Sequence, residues 1–234
     1  MHLFYAPGLT DQPEFTLSPE ESHHAVRVLR LVQGDPVVLV NGCGGWYSAV
    51  IAYPDPRNCP VEITESKQGI GKPGYELHVA MAPTRQIDRF EWFIEKATEI
   101  GITSITPIIC SRSERKEVKT DRLIKVAIAA MKQSLTAYHP AIHSLSSFKQ
   151  FVSRPAAGSK WIAHCNPGNK NWLDESLQKD QPWTILIGPE GDFTPAEVEL
   201  AGEAGYLPLT LGTSRLRTET AGLVAVQTVN WLYR

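Results

Sequence analysis

Leu186-Ile187-Gly188-Pro189-Glu190-Gly191-Asp192-Phe193 is the stretch whose reading decides the fold. With Trp183-Thr184-Ile185 before it, the apolar and partly β-branched run reads as a fully buried strand, and Gly188-Pro189 stops it. Thr194 then offers an N-cap, Pro195 suits the first helical position, and Glu197 completes a capping box, so a helix is predicted from Pro195 to about Gly205. A strand that ends in a glycine turn and continues as a helix is the unit of an open α/β sheet, whose ligands bind at the carboxyl ends of the strands. Gly188 and Gly191 let backbone approach a ligand closely, and Glu190 places one carboxylate there as an acceptor. On its own the turn reads first as a helix start of purely structural value.

A second segment, Leu209-Thr210-Leu211-Gly212-Thr213-Ser214-Arg215-Leu216-Arg217-Thr218-Glu219-Thr220, repeats the pattern before the apolar helix Ala221 to Leu232. Charges at a helix entry are usually a solvated cap, and Glu219 suits the positive end of a helix dipole. Two arginines and an acid beside a second glycine turn nevertheless suggest one shared pocket. Neither the Gly-x-x-x-x-Gly-Lys-Ser/Thr loop nor the three-glycine dinucleotide fingerprint occurs anywhere in the chain, and Glu190 with Asp192 would serve a diphosphate poorly.

Upstream, a strand near Leu3-Phe4-Tyr5 precedes a helix capped by Ser18, with Pro19 first and Glu21 closing a capping box, that carries His23 to Leu31. Pro36 to Tyr53 reads as a β-hairpin turning at Asn41 to Gly45, and Val61 to Thr64 as a further strand. Lys67 to Gly74 is glycine-rich and polar, a linker candidate. Beyond it strands and helices alternate as a largely parallel sheet requires: strand Glu76–Ala82, helix Ile87–Ile100, strand Ser104–Ile109, helix Asp121–Ser134, a short helix near Phe148, then strands Lys160–Ala163, Thr184–Ile187 and Leu207–Leu211. The expected organisation is a mainly β domain over 1–70 and an α/β domain over 74–234.

The chain has 234 residues, 42% of them hydrophobic, enough for two modest domains with real cores. No run approaches a membrane span and the N-terminus lacks a basic-then-apolar signal, so a cytoplasmic location without membrane is expected. Cys43, Cys59, Cys110 and Cys165 are scattered without metal-ligand spacing, which points to reduced thiols and no metal. A net charge of −2 argues against polyanion binding by the whole surface, so nucleic acid would have to meet local patches. Arg27 and Arg30, and the run from Arg112 and Arg115 to Lys125, are the candidates, although mixed charge runs are more often a solvated face. His23, His24 and His164 read as structural.

Gly188-Pro189-Glu190-Gly191, Leu211-Gly212 and Leu216-Arg217-Thr218-Glu219-Thr220-Ala221 together resemble the C-terminal signature of the SPOUT-class RNA methyltransferases, specifically the RsmE type, which methylates uridine N3 in 16S ribosomal RNA. His23-His24-Ala25-Val26-Arg27-Val28-Leu29-Arg30 with Gly34-Asp35 resembles that family's N-terminal RNA-binding segment, and Glu95 to Gly101 its first catalytic-domain helix. The resemblance implies a small N-terminal β-barrel of PUA or OB-like kind, and a knotted, mainly parallel sheet flanked by helices. It implies S-adenosylmethionine as cofactor, bound by Leu186, Gly188, Pro189, Glu190, Gly191, Leu209, Leu211, Gly212, Leu216 and Arg217. It also implies 16S rRNA within the small ribosomal subunit as substrate, bound by Arg27, Arg30, Arg112 and Arg115, a homodimer, and a trefoil knot at the C-terminus.

A uracil N3 must lose its imide proton, and the resulting charge spreads onto the flanking carbonyls, so an acceptor and a cation both help. Arg217 is expected as the cation, and Glu219 or Glu190 as the acceptor or cofactor-orienting group. Methylation of a ribose 2'-oxygen or of another base, and a non-catalytic RNA-binding assembly factor, remain the alternatives.

Overall fold

The computed structural model describes residues 1–173 and 181–233. The chain divides into two compact units, Met1–Lys72 with Ile128–His139, and Pro73–Ala127 with Pro140–Arg234. The segment Ile128–His139, which the sequence reading gave to the second domain, groups with the first.

The first unit contains β1 (Leu3–Tyr5), β2 (Glu14–Thr16), α1 (Pro19–His23), β3 (Pro36–Val40), β4 (Trp46–Ile51) and β5 (Pro60–Lys67), with the sheet order β1-β3-β4-β5-β2. β1 lies parallel to β3 and the remaining pairs are antiparallel. Along β4 the side chains alternate, so Tyr47, Ala49 and Ile51 enter a core with Phe4, Leu17, Leu39 and Val61. The hairpin turns where expected: Asn41 Oδ1 accepts the N–H of Cys43 and of Gly45, each at 2.9 Å.

The helix expected through Leu31 is shorter. α1 ends at His23 and continues as a π-helical turn, His24–Val28, with Arg30 at φ 57° just beyond. Ser18 Oγ accepts the Glu21 N–H as predicted, but the Glu21 carboxylate accepts instead from the Tyr5 N–H at 3.1 Å and from Lys132 Nζ at 2.7 Å. A charged partner outcompetes the return bond of a capping box.

The second unit holds β6 (Leu77–Met81), α2 (Ile87–Ile100), β7 (Ser104–Ile109), the start of α3 (Thr120–Gln133), β8 (Ala141–Ile142), β9 (Ser146–Ser147), α4 (Phe148–Val152), β10 (Ser159–Ala163), β11 (Asn171–Trp172), β12 (Trp183–Ile187), α5 (Pro195–Glu203), β13 (Leu207–Thr210) and α6 (Thr218–Leu232). Its sheet runs β11-β13-β10-β12-β6-β7-β8, with β9 also on β7, and these pairs are parallel. Alternation divides each strand between two cores. Leu77, Val79, Met81, Ile185 and Ile187 face a layer with Phe90, Phe93 and Val226, while Ala80, Leu186 and Ile162 face Phe148, Phe193 and Tyr206. A parallel sheet covered on both faces needs such continuous apolar strands, which is why β12 was readable from sequence.

Candidate active site

β12 and β13 both lie beside or next to β10, so the two glycine turns emerge on neighbouring strand ends. Ile187 pairs with Ala163 on one edge of β10, and Leu209 pairs with the same Ala163 on the other. A cavity of about 460 Å³ opens there, within the range of small-molecule sites. Its wall is built from the residues after β10 (His164, Cys165), the first turn (Gly188, Pro189, Glu190, Asp192), the second turn (Leu209 to Gly212, Ser214 to Arg217), the start of α6 (Thr218, Ala221), and Arg89 from α2.

The first turn is pinned from several sides. The Asp192 N–H donates to the Pro189 carbonyl at 2.9 Å, and Asp192 itself sits at φ 61°, a left-handed conformation uncommon for a side-chain-bearing residue. Its Oδ2 accepts the Cys165 N–H at 2.9 Å, tying the turn to the end of β10. Thr194 and Glu197 form the expected capping box, and the buried Glu197 also accepts the Ser111 N–H at 2.7 Å. Gly188 packs on Phe193: a Cβ there would meet that ring at 3.1 Å. In the second turn Gly212 adopts φ 151°, and a Cβ at that position would project into open space.

Of the cofactor residues expected from sequence, Gly188, Pro189, Glu190, Leu209, Leu211, Gly212, Leu216 and Arg217 line the cavity. Leu186 points into the opposite core, and Gly191 lies against Arg112, whose side chain a Cβ would meet at 3.1 Å. Glu190 is exposed at the rim, with Oε1 accepting the Arg85 N–H at 2.9 Å. Arg217 is the exposed N-cap residue of α6, where no side chain caps the helix. Glu219 is elsewhere: it is buried in the first turn of α6 beside the cavity wall, 3.8 Å from Arg89, and its other oxygen has no partner among the described residues.

Arg112 Nη1 donates to the Gly191 carbonyl at 2.8 Å, and Arg115 donates to the carbonyls of Thr84 and Arg85 at 3.2 and 2.9 Å. Arg27 and Arg30 are exposed in the first unit. Sequence reasoning missed Arg89, Asp192 and His164 as wall residues. Nothing local marks Arg89, which reaches the site because α2 packs along α6. Burial, with Lys170 adding to it, holds the His164 ring below the ordinary histidine range, so it presents a neutral imidazole. Among the described residues no cluster of His, Cys, Asp and Glu could hold a metal ion, and no helix is long and apolar enough to cross a membrane.

The family described as the RNA methyltransferase domain matches residues 72–230, and the family described as the RNA methyltransferase PUA domain matches residues 17–64. The ribosomal RNA small subunit methyltransferase E of Rickettsia conorii is 30% identical over 92% of this chain and 88% of its own length. A crystal structure of a probable rRNA-methyltransferase from Porphyromonas gingivalis superimposes with a TM-score of 0.90 at 39% identity, covering 100% of this chain and 98% of the other. The ribosomal RNA small subunit methyltransferase E of Neisseria gonorrhoeae, solved bound to S-adenosyl methionine, gives 0.85 at 25% identity over 100% and 98%. With its wall on paired glycine turns and its sequence matched nearly end to end, the chain belongs to the RNA methyltransferase family, in the ribosomal RNA small subunit methyltransferase E group.

Proposed function

We propose that this protein is an S-adenosylmethionine-dependent enzyme that methylates uridine N3 in 16S ribosomal RNA. The observation that carries the reading is the cavity formed jointly by Gly188–Asp192 and Leu209–Arg217 at adjacent strand ends. Its chemistry fits the cofactor: Ile187, Leu209, Leu211 and Ala221 offer apolar wall for a purine, glycine backbone allows close approach, and Asp192 and Arg89 offer charge for the polar end. Bound there, S-adenosylmethionine supplies an electrophilic methyl group on a sulfonium. The protein's own share is alignment, removal of the N3 proton and stabilisation of the charge left on the uracil carbonyls.

Glu190, exposed at the rim, is the acceptor of that proton, and Arg217 the cation beside the carbonyls. Glu219 is turned toward Arg89 and does not line the cavity, which leaves Glu190 for the acceptor role. Arg27, Arg30, Arg112 and Arg115 hold RNA phosphates, and the substrate is the small ribosomal subunit, met in the cytoplasm. A homodimer is supported by an apolar groove lined by Trp172, Leu173, Leu211, Val224 and Trp231, in which Trp172 and Trp231 are 42% and 65% exposed. The C-terminal elements from β12 to α6 form the trefoil knot, and the domain boundary falls near residue 72, with Ile128–His139 returning to the first domain.

Tritium transfer from labelled cofactor to 16S rRNA, followed by mapping the modified position, tests the reading. Methylated uridine N3 is the expected product, and a ribose 2'-O-methyl product or none would replace it with one of the alternatives. Gly212→Trp, which forces a side chain into a left-handed position opening on the cavity, should abolish cofactor binding in calorimetry while the protein remains folded.

A further inference from the structure

The cavity's cations differ in how they are held. Arg215 and Arg217 are exposed on the second turn, and ordering either around a ligand costs side-chain entropy. Arg89 instead reaches the wall from α2 and is tethered, Nη1 lying 3.8 Å from Oε1 of Glu219. The Glu219 side chain is 10% exposed and that of Arg89 39%, so the carboxylate is fixed in the protein while donors of the guanidinium remain open. A guanidinium has five N–H donors in a plane, and one ion pair leaves most of them for a second, planar partner. The uncapped N-terminal end of α6 opens at the same wall through Arg217, Thr218 and Ala221, adding positive potential that offsets the charge of Glu219.

We propose that Arg89, positioned by Glu219, binds the carboxylate of the cofactor's methionine moiety and thereby selects a ligand carrying that group. The inference rests on the cavity being the S-adenosylmethionine site. It makes Arg89 a specificity-determining residue and Glu219 a positioning residue that acts through it.

Decarboxylated S-adenosylmethionine retains the sulfonium, the ammonium and the adenosine and lacks only the carboxylate, so calorimetry with both compounds isolates the contact. Wild type should prefer S-adenosylmethionine by roughly tenfold to a hundredfold, the range of one charge-assisted pair. Arg89→Ala should bind the two compounds alike, with its loss confined to S-adenosylmethionine, and Arg89→Lys should recover part of the preference. Glu219→Gln should lower the preference without further effect in the Arg89→Ala background, and Glu219→Asp should restore part of it. An Arg89→Ala protein, folded by circular dichroism, that keeps the wild-type preference overturns the inference and leaves the cofactor reading standing. Failure of wild type to bind either compound overturns the cofactor reading itself. If Glu219→Gln does not fold, the Arg89 series decides alone.

Discussion

Two acidic residues, Glu190 in the first glycine turn and Glu219 after the second, looked interchangeable in sequence and are not so in the fold. Glu190 meets solvent at the cavity rim, whereas Glu219 is buried against Arg89. Glu190→Gln should therefore lower turnover with little change in cofactor affinity, since the lost group acts on the N3 proton. Without an acceptor the rate follows the fraction of uracil already ionised, so log kcat should rise with pH with a slope of about one across the neutral range, steeper than wild type. Arg217→Ala should bind cofactor normally and lose about a hundredfold in single-turnover rate, the scale of one lost charge-stabilising donor. A near-normal single-turnover rate would make Arg217 a helix-entry residue only. His78 on β6 carries a different prediction. Burial first, then the nearby His143 ring, holds it down at about 4 against 6.5 for a free histidine, and its Nε2 lies 2.7 Å from Thr106 Oγ1. The unfolded chain takes up the proton first, so the stabilisation is fully present above pH 6.5 and falls away toward pH 4, by about 3 kcal/mol in total. Urea titrations over that window should show a flatter pH dependence for His78→Gln than for wild type.

Elements carry the site as much as residues do. α5 begins at a capping box whose Glu197 accepts from Thr194 N–H at 2.8 Å and Ser111 N–H at 2.7 Å, joining the first glycine turn to the loop that bears Arg112. Glu197→Ala removes both charge-assisted bonds of this buried carboxylate and should cost about 2–3 kcal/mol, measured as a lower urea midpoint with unchanged slope. Such caps were legible in sequence because Thr, Pro and Glu occupy fixed positions around a helix start, and the bounds of α2 were recovered from its apolar period alone. β12 was legible because a strand buried on both faces must be apolar throughout. Strands of two or three residues, β2, β8, β9 and β11, carry too little pattern to register. The π-helical turn at His24–Val28 was not visible either, since five residues are too few for its wider i→i+5 period to show. In the site, the glycine turns were legible and the wall residue Arg89 was not, because α2, packed along α6, contributes it through tertiary packing.

At the scale of the molecule, RNA binding by a chain of net charge −2 has to be carried by local cations. Arg27→Ala and Arg30→Ala should each reduce the slope of log affinity against log salt by about one, and unchanged slopes would return them to an ordinary solvated face. Arg112→Ala should reduce the slope and also weaken the cofactor, because the same guanidinium supports the Gly191 carbonyl. The order of strands in the second sheet bears on how this protein is made. β10 finds its two partners, β12 and β13, only in later sequence, and β6 pairs with β12 across most of the domain. A chain emerging from synthesis therefore holds β10 with both edges unpaired, a state in which parallel sheets are slow to close and prone to misassociate. Because Leu209–Arg217 and Ala221 complete the cavity, affinity for a small ligand arrives only once β13 and the start of α6 have been made, and a nascent chain stopped short of that point carries an unfinished binding wall.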